Sequence, residues 1–270
     1  MTKAEIVNEI SLKTRVEVIP CQFDYAGDFS EGLAIVEINK NKGFIDKTGK
    51  IVIPCKYRMV RNFSEGLACV FIDKWEFIDK VGRTIITCGS GSGAFSFFEG
   101  LAAIFKNEGD KTDFIDKSGR TVFSTSMRSY KFSEGLAATY NGNVKIGYID
   151  KTGEIVIPNI FEEYCALYHD YNLCDFSNGL ALVKDSNWSR YFINKKGETV
   201  VPPDKYRDLR PFHDGLACVN GGYIDNKGNE IIPSGIFYNQ DRDFSEGMTW
   251  IAIFVEGKYK YVLIKEEWFV

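Results

Sequence analysis

A phrase close to Phe-Ser-Glu-Gly-Leu-Ala returns seven times along this chain of 270 residues, and six copies are answered by a second phrase close to Phe-Ile-Asp-Lys-x-Gly. The first phrase places glycine at Gly32, Gly66, Gly100, Gly135, Gly179, Gly215 and Gly247, so successive copies lie 34, 34, 35, 44, 36 and 32 residues apart. The second reads Phe44-Ile45-Asp46, Phe77-Ile78-Asp79, Phe114-Ile115-Asp116, Tyr148-Ile149-Asp150, Phe192-Ile193-Asn194 and Tyr223-Ile224-Asp225, each with a glycine three residues on. A period of this length marks a tandem-repeat architecture in which one unit cannot bury its own apolar surface and stacking supplies the core.

The unit from Leu33 to Gly66 shows what each segment does. Leu33-Ala34-Ile35-Val36-Glu37-Ile38 is a strand, Asn39 to Lys42 a turn and Gly43-Phe44-Ile45-Asp46 a second strand. Lys50-Ile51-Val52-Ile53 is a third strand that Pro54 ends, and a weaker fourth covers Tyr57 to Phe63. In Asp46-Lys47-Thr48-Gly49 the aspartate can accept from amides two residues on, and the glycine supplies the positive φ of a bulge after a type I turn. The recurrent Asp is therefore a turn residue. Leu67-Ala68-Cys69-Val70-Phe71-Ile72 and Leu101-Ala102-Ala103-Ile104-Phe105 are continuous apolar runs, the pattern of strands covered on both faces. The fold class is all-β, with seven tandem units of three to four short antiparallel strands.

The phase of the repeat points to a closed seven-bladed β-propeller-like ring. Residues 16–20 match Lys50 to Pro54, while Trp250-Ile251-Ala252-Ile253-Phe254 and Tyr259-Lys260-Tyr261-Val262 supply the strands that the start lacks. The alternative is an open superhelical array of β-hairpins, which the loss of the last Ile-Asp-x-x-Gly turn would suit as a terminal cap. One domain is expected over 16–270, preceded by a segment, 1–15, in which Thr2-Lys3-Ala4-Glu5 is a capping-box pattern for a short helix.

Composition narrows the partners. Thirty-three basic against 37 acidic residues give a formal charge of −4 with no basic stripe, so duplex nucleic acid is not expected. No run approaches the ~20 apolar residues that span a bilayer, and the N-terminal residues lack a signal-peptide pattern, so the expectation is a cytoplasmic protein with no membrane partner. Seven cysteines, of which Cys21 matches Cys55 and Cys69 matches Cys218 in repeat register, read as small apolar side chains in a reducing compartment.

The residues Phe63-Ser64-Glu65-Gly66-Leu67-Ala68, then Lys74-Trp75-Glu76-Phe77-Ile78-Asp79-Lys80 and a later Ile-Pro in most units, resemble the WG-repeat family of bacterial proteins, also called KWG repeats. The resemblance covers about nine tenths of the chain. The tryptophan of the family's name stands only at Trp75, and its glycine is kept at Gly43, Gly147 and Gly222 but is Glu76, Asp113 and Tyr191 elsewhere. The resemblance implies an all-β repeat protein with no activity generally assigned.

Candidate chemistry is sparse. Two histidines leave little for acid–base catalysis, and His213 stands where most copies have serine. His169, Asp170, Cys165 and Cys174 offer zinc-type donors without ligand spacing, so no metal and no cofactor is expected. Cys88-Gly89-Ser90-Gly91-Ser92-Gly93 precedes no helix and reads as a linker rather than a phosphate loop. Glu31, Glu65, Glu99, Glu134, Asp214 and Glu246 recur at one point of the unit, where each is expected to contact its own turn amides.

The chain thus reads as a non-enzymatic scaffold for protein or peptide recognition. The ten-residue insertion between Gly135 and Gly179 offers Tyr164, Tyr168, His169, Asp170 and Tyr171 as its binding patch. Glycan recognition is the alternative, with Trp75 and Trp188 as stacking platforms. An enzyme with its site in a central channel is the third reading.

Overall fold

The computed structural model describes residues 22–88, 93–106, 111–140, 142, 145–162, 174–206 and 208–234, with backbone alone at 248–255 and 258–265. All regular structure among them is β. Seven small sheets follow one another along the chain. The first holds β1 Tyr25–Ser30, β2 Leu33–Ile38, β3 Asn41–Asp46 and β4 Ile51–Tyr57; the second β5 Met59–Val60, β6 Ala68–Phe71, β7 Trp75–Ile78 and β8 Thr84–Thr87. The third holds β9 Gly93–Ala94, β10 Ala102–Phe105, β11 Thr112–Ile115 and β12 Thr121–Thr125; the fourth β13 Arg128–Ser133, β14 Leu136–Tyr140, β15 Lys145–Ile149 and β16 Ile155–Glu162. Next come β17 Leu180–Lys184, β18 Arg190–Asn194 and β19 Thr199–Val201, then β20 Ala217–Val219, β21 Gly222–Ile224 and β22 Glu230–Ile232. A hairpin, β23 Met248–Val255 with β24 Lys258–Lys265, completes the series. Sequential neighbours pair in every sheet, so each is an up-and-down meander.

The chain divides into two compact units, Met1–Asn107 with Asp113–Val122, and Glu108–Thr112 with Phe123–Val270. In the first, one core cluster joins Leu33, Phe44, Ile53 and Tyr57 of the first sheet to Phe63, Ala68, Val70 and Ile78 of the second. A further cluster carries the second sheet's Cys69, Trp75, Phe77 and Ile86 onto Phe97, Ala102, Ile104 and Ile115 of the third. In the second unit, Leu180, Leu182, Phe192 and Val201 pack on Leu209, Phe212, Ala217, Val219 and Ile224. The second sheet's apolar run is covered on both faces, Ala68, Val70 and Ile78 toward the first sheet and Cys69, Trp75 and Phe77 toward the third, as its lack of alternation requires.

Two strand expectations are corrected. Pro54 does not end the third strand, since β4 runs through it to Tyr57. The pairing Lys42↔Tyr57 followed by Phe44↔Ile53 sets Gly43 alone opposite three residues, so the proline, which cannot donate to the ladder, sits in a bulge. The fourth strand, trimmed to Met59–Val60, pairs forward with β6 and opens the second sheet instead of finishing the first. Its partner is fixed by the turn in the first phrase. Glu65 and Gly66 have φ of 54° and 89°, and Ser64 and Leu67 exchange backbone hydrogen bonds of 3.0 and 3.2 Å, the two-residue hairpin with positive φ at both central positions.

The second phrase behaves as its residues dictate. Gly49 has φ of 82°, its N–H donates to the Asp46 carbonyl at 2.9 Å, and Asp46 Oδ1 accepts from the Thr48 and Lys50 amides at 2.9 and 3.2 Å. Asn194 does the same with the amides of Lys196 and Glu198, at 2.9 and 3.0 Å. The expected helix near Thr2, the matching segment 16–20 and the insertion 163–173 lie outside the described residues.

Candidate functional site

The recurrent carboxylates were expected to serve their own turns; Glu31, Glu65 and Glu134 serve the next sheet instead. Glu31 accepts the Gly66 amide at 3.0 Å and pairs with Lys80 at 3.2 Å. Glu65 accepts the Gly100 amide at 3.1 Å and pairs with Lys117 at 3.0 Å, and Glu134 accepts the Gly179 amide at 2.9 Å and pairs with Lys195 at 3.1 Å. Asn178 takes the place of glutamate and Asn226 that of lysine in the same latch, with Gly215 N–H to Asn178 Oδ1 at 3.3 Å and Asn226 Nδ2 to Asn178 O at 3.4 Å. The reason is backbone geometry. A residue at φ near +50° points its side chain out of its own hairpin, so its own amides are out of reach while the following hairpin is not. Beside each carboxylate, Ser30, Ser64 and Ser133 donate to the carbonyls of Phe63, Phe97 and Phe176 at 2.7, 2.5 and 2.7 Å. The rings follow suit, with Phe44–Phe63, Phe77–Phe97, Tyr148–Phe176 and Phe192–Phe212 centroids 4.8 to 4.9 Å apart. The repeated chemistry is thereby consumed inside the molecule.

Four of the turn aspartates and Glu65 are held in the ionised form. The Thr48 hydroxyl holds Asp46 below its ordinary 3.8, the Arg83 amide does so for Asp79, and the hydroxyls of Ser118 and Thr152 do so for Asp116 and Asp150. At Glu65 burial pushes upward, but Lys117 and the Gly100 amide outweigh it and the net direction is down. A depressed folded-state value gives stability that is present above the unfolded value and lost as pH falls through the folded one. The thermal midpoint is expected to fall steadily below pH ~4. Replacing Asp46, Asp79, Asp116 and Asp150 together by asparagine, which Asn194 shows the turn accepts, should flatten that slope; an unchanged slope would refute the assignment.

What the repeat leaves for display is irregular, and Trp188 is its sharpest case. In the hairpin between β17 and β18, Asp185 Oδ1 accepts the Asn187 and Ser189 amides at 2.8 and 3.0 Å, and Trp188 N–H donates to the Asp185 carbonyl at 3.0 Å. That is the pattern of the Asp46 turn with tryptophan in the place of Gly49. Trp188 accordingly has φ of 65°, strained for a side chain of this size, and is 56% exposed. Lys184 Nζ lies 4.9 Å from the ring centroid, and Ser189 ties the loop to Asp204 at 2.7 Å. Lys184 is buried, and burial followed by the charge of Arg190 holds its amine below the usual lysine range. Lys184 and Arg190 border a shallow depression with Ile146, Phe161, Leu182 and Val183, closed by Glu162 and Cys174 at the two ends of the insertion.

The other sequence candidates fall out differently. Trp75 is buried in the core cluster of the second and third sheets, 5.1 Å from the Phe71 ring, so it offers no stacking platform. Tyr164, Tyr168, His169, Asp170 and Tyr171 lie outside the described residues. Cys55, Cys69, Cys88 and Cys218 are free thiols, and burial pushes Cys88 up to about 11, as expected of inert apolar fillers. Cys174 departs from the all-thiol expectation, being disulfide-bonded. No helix among the described residues is long and apolar enough to cross a membrane.

Meandering small sheets stacked through ring pairs and turn latches define a β-propeller-like repeat fold. BamB from Moraxella catarrhalis, a β-propeller, is similar over 82% of this chain and 76% of its own, at 11% identity and a TM-score of 0.50. Hsv2p of Kluyveromyces lactis, also a propeller, is similar over 90% of this chain and 97% of its own, at 10% identity and a TM-score of 0.51. At such identities the likeness concerns the fold alone. The WG containing repeat matches residues 13–41, 43–74, 146–187, 192–220 and 222–259, and the chain belongs to that family. No curated protein matches it in sequence.

Proposed function

We propose that this protein is a non-enzymatic scaffold that recognises a protein or peptide partner, with Trp188 and the adjoining depression as its contact surface. The observation that carries the reading is a large, exposed aromatic at a backbone position where six other turns of this pattern use glycine at φ of 80° to 88°. Holding tryptophan there costs about 1 to 2 kcal/mol of backbone strain. The repeat itself gains nothing from that strain, since Gly49 closes the equivalent turn without it. Lys184 stacked on the ring adds an attraction of roughly 0.5 to 1 kcal/mol and limits the rotamers of the indole, which lowers the entropy lost on binding. Rigid aromatics bordered by cations are typical anchors of protein interfaces. Glu162 and Cys174, which flank the insertion in sequence, line the same depression, and the insertion's tyrosines would extend the contact.

The glycan alternative keeps one platform, Trp188, after the burial of Trp75. A single stacking face with no second aromatic beside it among the described residues supports it less. Partner capture from cell extract should lose a specific band both with Trp188→Gly and with deletion of residues 162–172. Trp188→Gly is expected to raise the thermal midpoint slightly by relieving strain, which separates loss of binding from loss of folding. A set of captured proteins unchanged by both variants would reject this location, and quenching of tryptophan fluorescence by an oligosaccharide that Trp188→Gly abolishes would favour the glycan reading.

A further inference from the structure

Three seams between successive sheets are closed by one polar set, and the seam between the fifth sheet and the sixth is not. At the first–second, second–third and fourth–fifth seams a glutamate accepts the next glycine amide and pairs with the next lysine. The serine before each glutamate donates to the next phenylalanine carbonyl. The fourth–fifth seam adds the ion pair of Lys131 with Asp175 at 2.9 Å. Between the fifth sheet and the sixth, both parts of the set are changed. Asn178 and Asn226 supply two neutral bonds of 3.3 and 3.4 Å in place of the charged ones. Ser177, which stands where Ser30, Ser64 and Ser133 cross to the next sheet, instead bonds Asn178 Oδ1 at 3.2 Å inside its own turn. Charged hydrogen bonds are roughly twice as strong as neutral ones. This seam therefore keeps its apolar contact, with the Phe192 and Phe212 rings 4.8 Å apart, under a weaker polar fastening.

The sixth sheet is small, with three strands of three residues each. The segment leading into it reaches back to the hairpin that carries Trp188. Ser189 bonds Asp204 at 2.7 Å, and the Arg190 guanidinium donates to the Leu209 carbonyl at 3.3 Å. Leu209 bridges Val219 of β20, and the Asp208 amide donates to Asn220 Oδ1 at 2.9 Å, so residues 208–209 travel with that sheet. We infer that the fifth–sixth seam is a built-in joint that opens before the fourth–fifth seam does, and that its opening releases the Trp188 hairpin. The asparagine bonds and the ties from Ser189 and Arg190 join the same two sheets, so one separation breaks them together. Opening also bares Phe192 and Phe212, which are 0% and 1% exposed when the seam is closed. Local openings of this kind draw on the low-stability end of a fold and set which surfaces can respond to a ligand. Anything that grips the hairpin and residues 204–209 together would hold the joint shut, and an open joint would weaken that grip by the same factor. The inference concerns the chain's own motion and does not depend on Trp188 contacting a partner.

Amide hydrogen exchange of the full chain, nitrogen-15 labelled, reads this seam at the Gly215 N–H and the preceding one at the Gly179 N–H. After correction for local sequence, Gly215 is expected to exchange about tenfold faster than Gly179 or more, and with a weaker dependence on urea. Asn178→Glu combined with Asn226→Lys restores the charges and should slow Gly215 about tenfold, while the amides of the β14–β15 ladder stay as they were and verify the fold. Ser189→Ala, at the other end of β17, removes one tie and should speed Gly215 roughly threefold. Equal protection of Gly215 and Gly179 overturns the inference, and that comparison needs no substitution. Gly215 exchange that the double variant leaves unchanged overturns it too, because the latch would then not set the opening. Exchange that Ser189→Ala leaves unchanged refutes the release of the Trp188 hairpin.

Discussion

Gly147→Ala should destabilise the second unit by about 4 kcal/mol or more, enough to abolish its cooperative unfolding transition at moderate temperature. An added Cβ would lie 2.5 Å from the Ile157 carbonyl oxygen, 2.7 Å from the Asn159 nitrogen and 2.7 Å from the Pro158 carbonyl carbon. All three are backbone atoms, so no rotamer change relieves the clash, and the β15–β16 ladder must part. The register shows why the chain accepts such closeness. Ile146 pairs with Phe161 and Tyr148 with Ile157, leaving Gly147 to face the bulge that carries Pro158. Gly66→Ala is the control, because its φ of 89° imposes strain while nothing lies within 4 Å of the new methyl, and it should cost only about 1 to 2 kcal/mol. Urea titrations followed by circular dichroism would compare the two. Equal losses would mean that the close approach is not what glycine protects.

This site also shows how much of the fold could be read from residues alone. The period, the strand cores and the Asp-turn with its glycine were all legible because each depends on local chemistry within one unit. The bulge was not read, although its signal was present. Gly43, Gly147 and Gly222 each precede an Ile-Pro in the following strand, and the glycines would all place a Cβ 2.5 Å from a carbonyl of that strand. Where the glycine becomes Glu76 the proline is gone, and β7 pairs with β8 with Glu76 directly opposite Thr87. Asp113 likewise has Ser124 in the proline's place, whereas Tyr191 keeps Pro202, so the proline is lost with two of the three replacements, a pattern visible by comparing copies within the chain. The destination of the glutamates was harder. A carboxylate beside a turn satisfies any amide in reach, and only the positive φ decides that the amide belongs to the next sheet. Even so, the joint appearance of Asn178 and Asn226 in place of glutamate and lysine was a clue that those positions meet.

The tryptophans divide on the same principle. Trp75 opens the strand β7 and shares a face with the buried Phe77 two residues on, so its burial follows from position. Trp188 aligns with the glycine of the Asp turn once Asp185 is matched to Asp46, and a side chain at that point of a tight turn has only solvent to enter. Composition treated the two alike, whereas register separates them.

Lys131→Met should cost roughly 3 kcal/mol, the low end of what breaking a buried ion pair costs, because Lys131 is one-fifth exposed. Lys131 Nζ, on β13, lies 2.9 Å from Asp175 Oδ2 just ahead of the phrase that begins at Phe176. Both carboxylate oxygens of Asp175 are shielded from solvent. The neighbouring Tyr148 hydroxyl is committed to the Cys174 carbonyl at 2.8 Å, and burial, reinforced by the Asp175 charge, pushes that phenol up, so it remains neutral. Without the ammonium a desolvated carboxylate would be left beside Tyr148 and Phe176, in the packing that joins the fourth sheet to the fifth. Desolvating two charges costs about as much as their attraction returns, so the pair as a whole contributes little net stability. Lys131→Met combined with Asp175→Leu should therefore return to within about 1 kcal/mol of the parent, a coupling measurable by a double-mutant cycle in urea. A double variant no more stable than Lys131→Met alone would show that the aspartate, and not the pairing, holds the two sheets together.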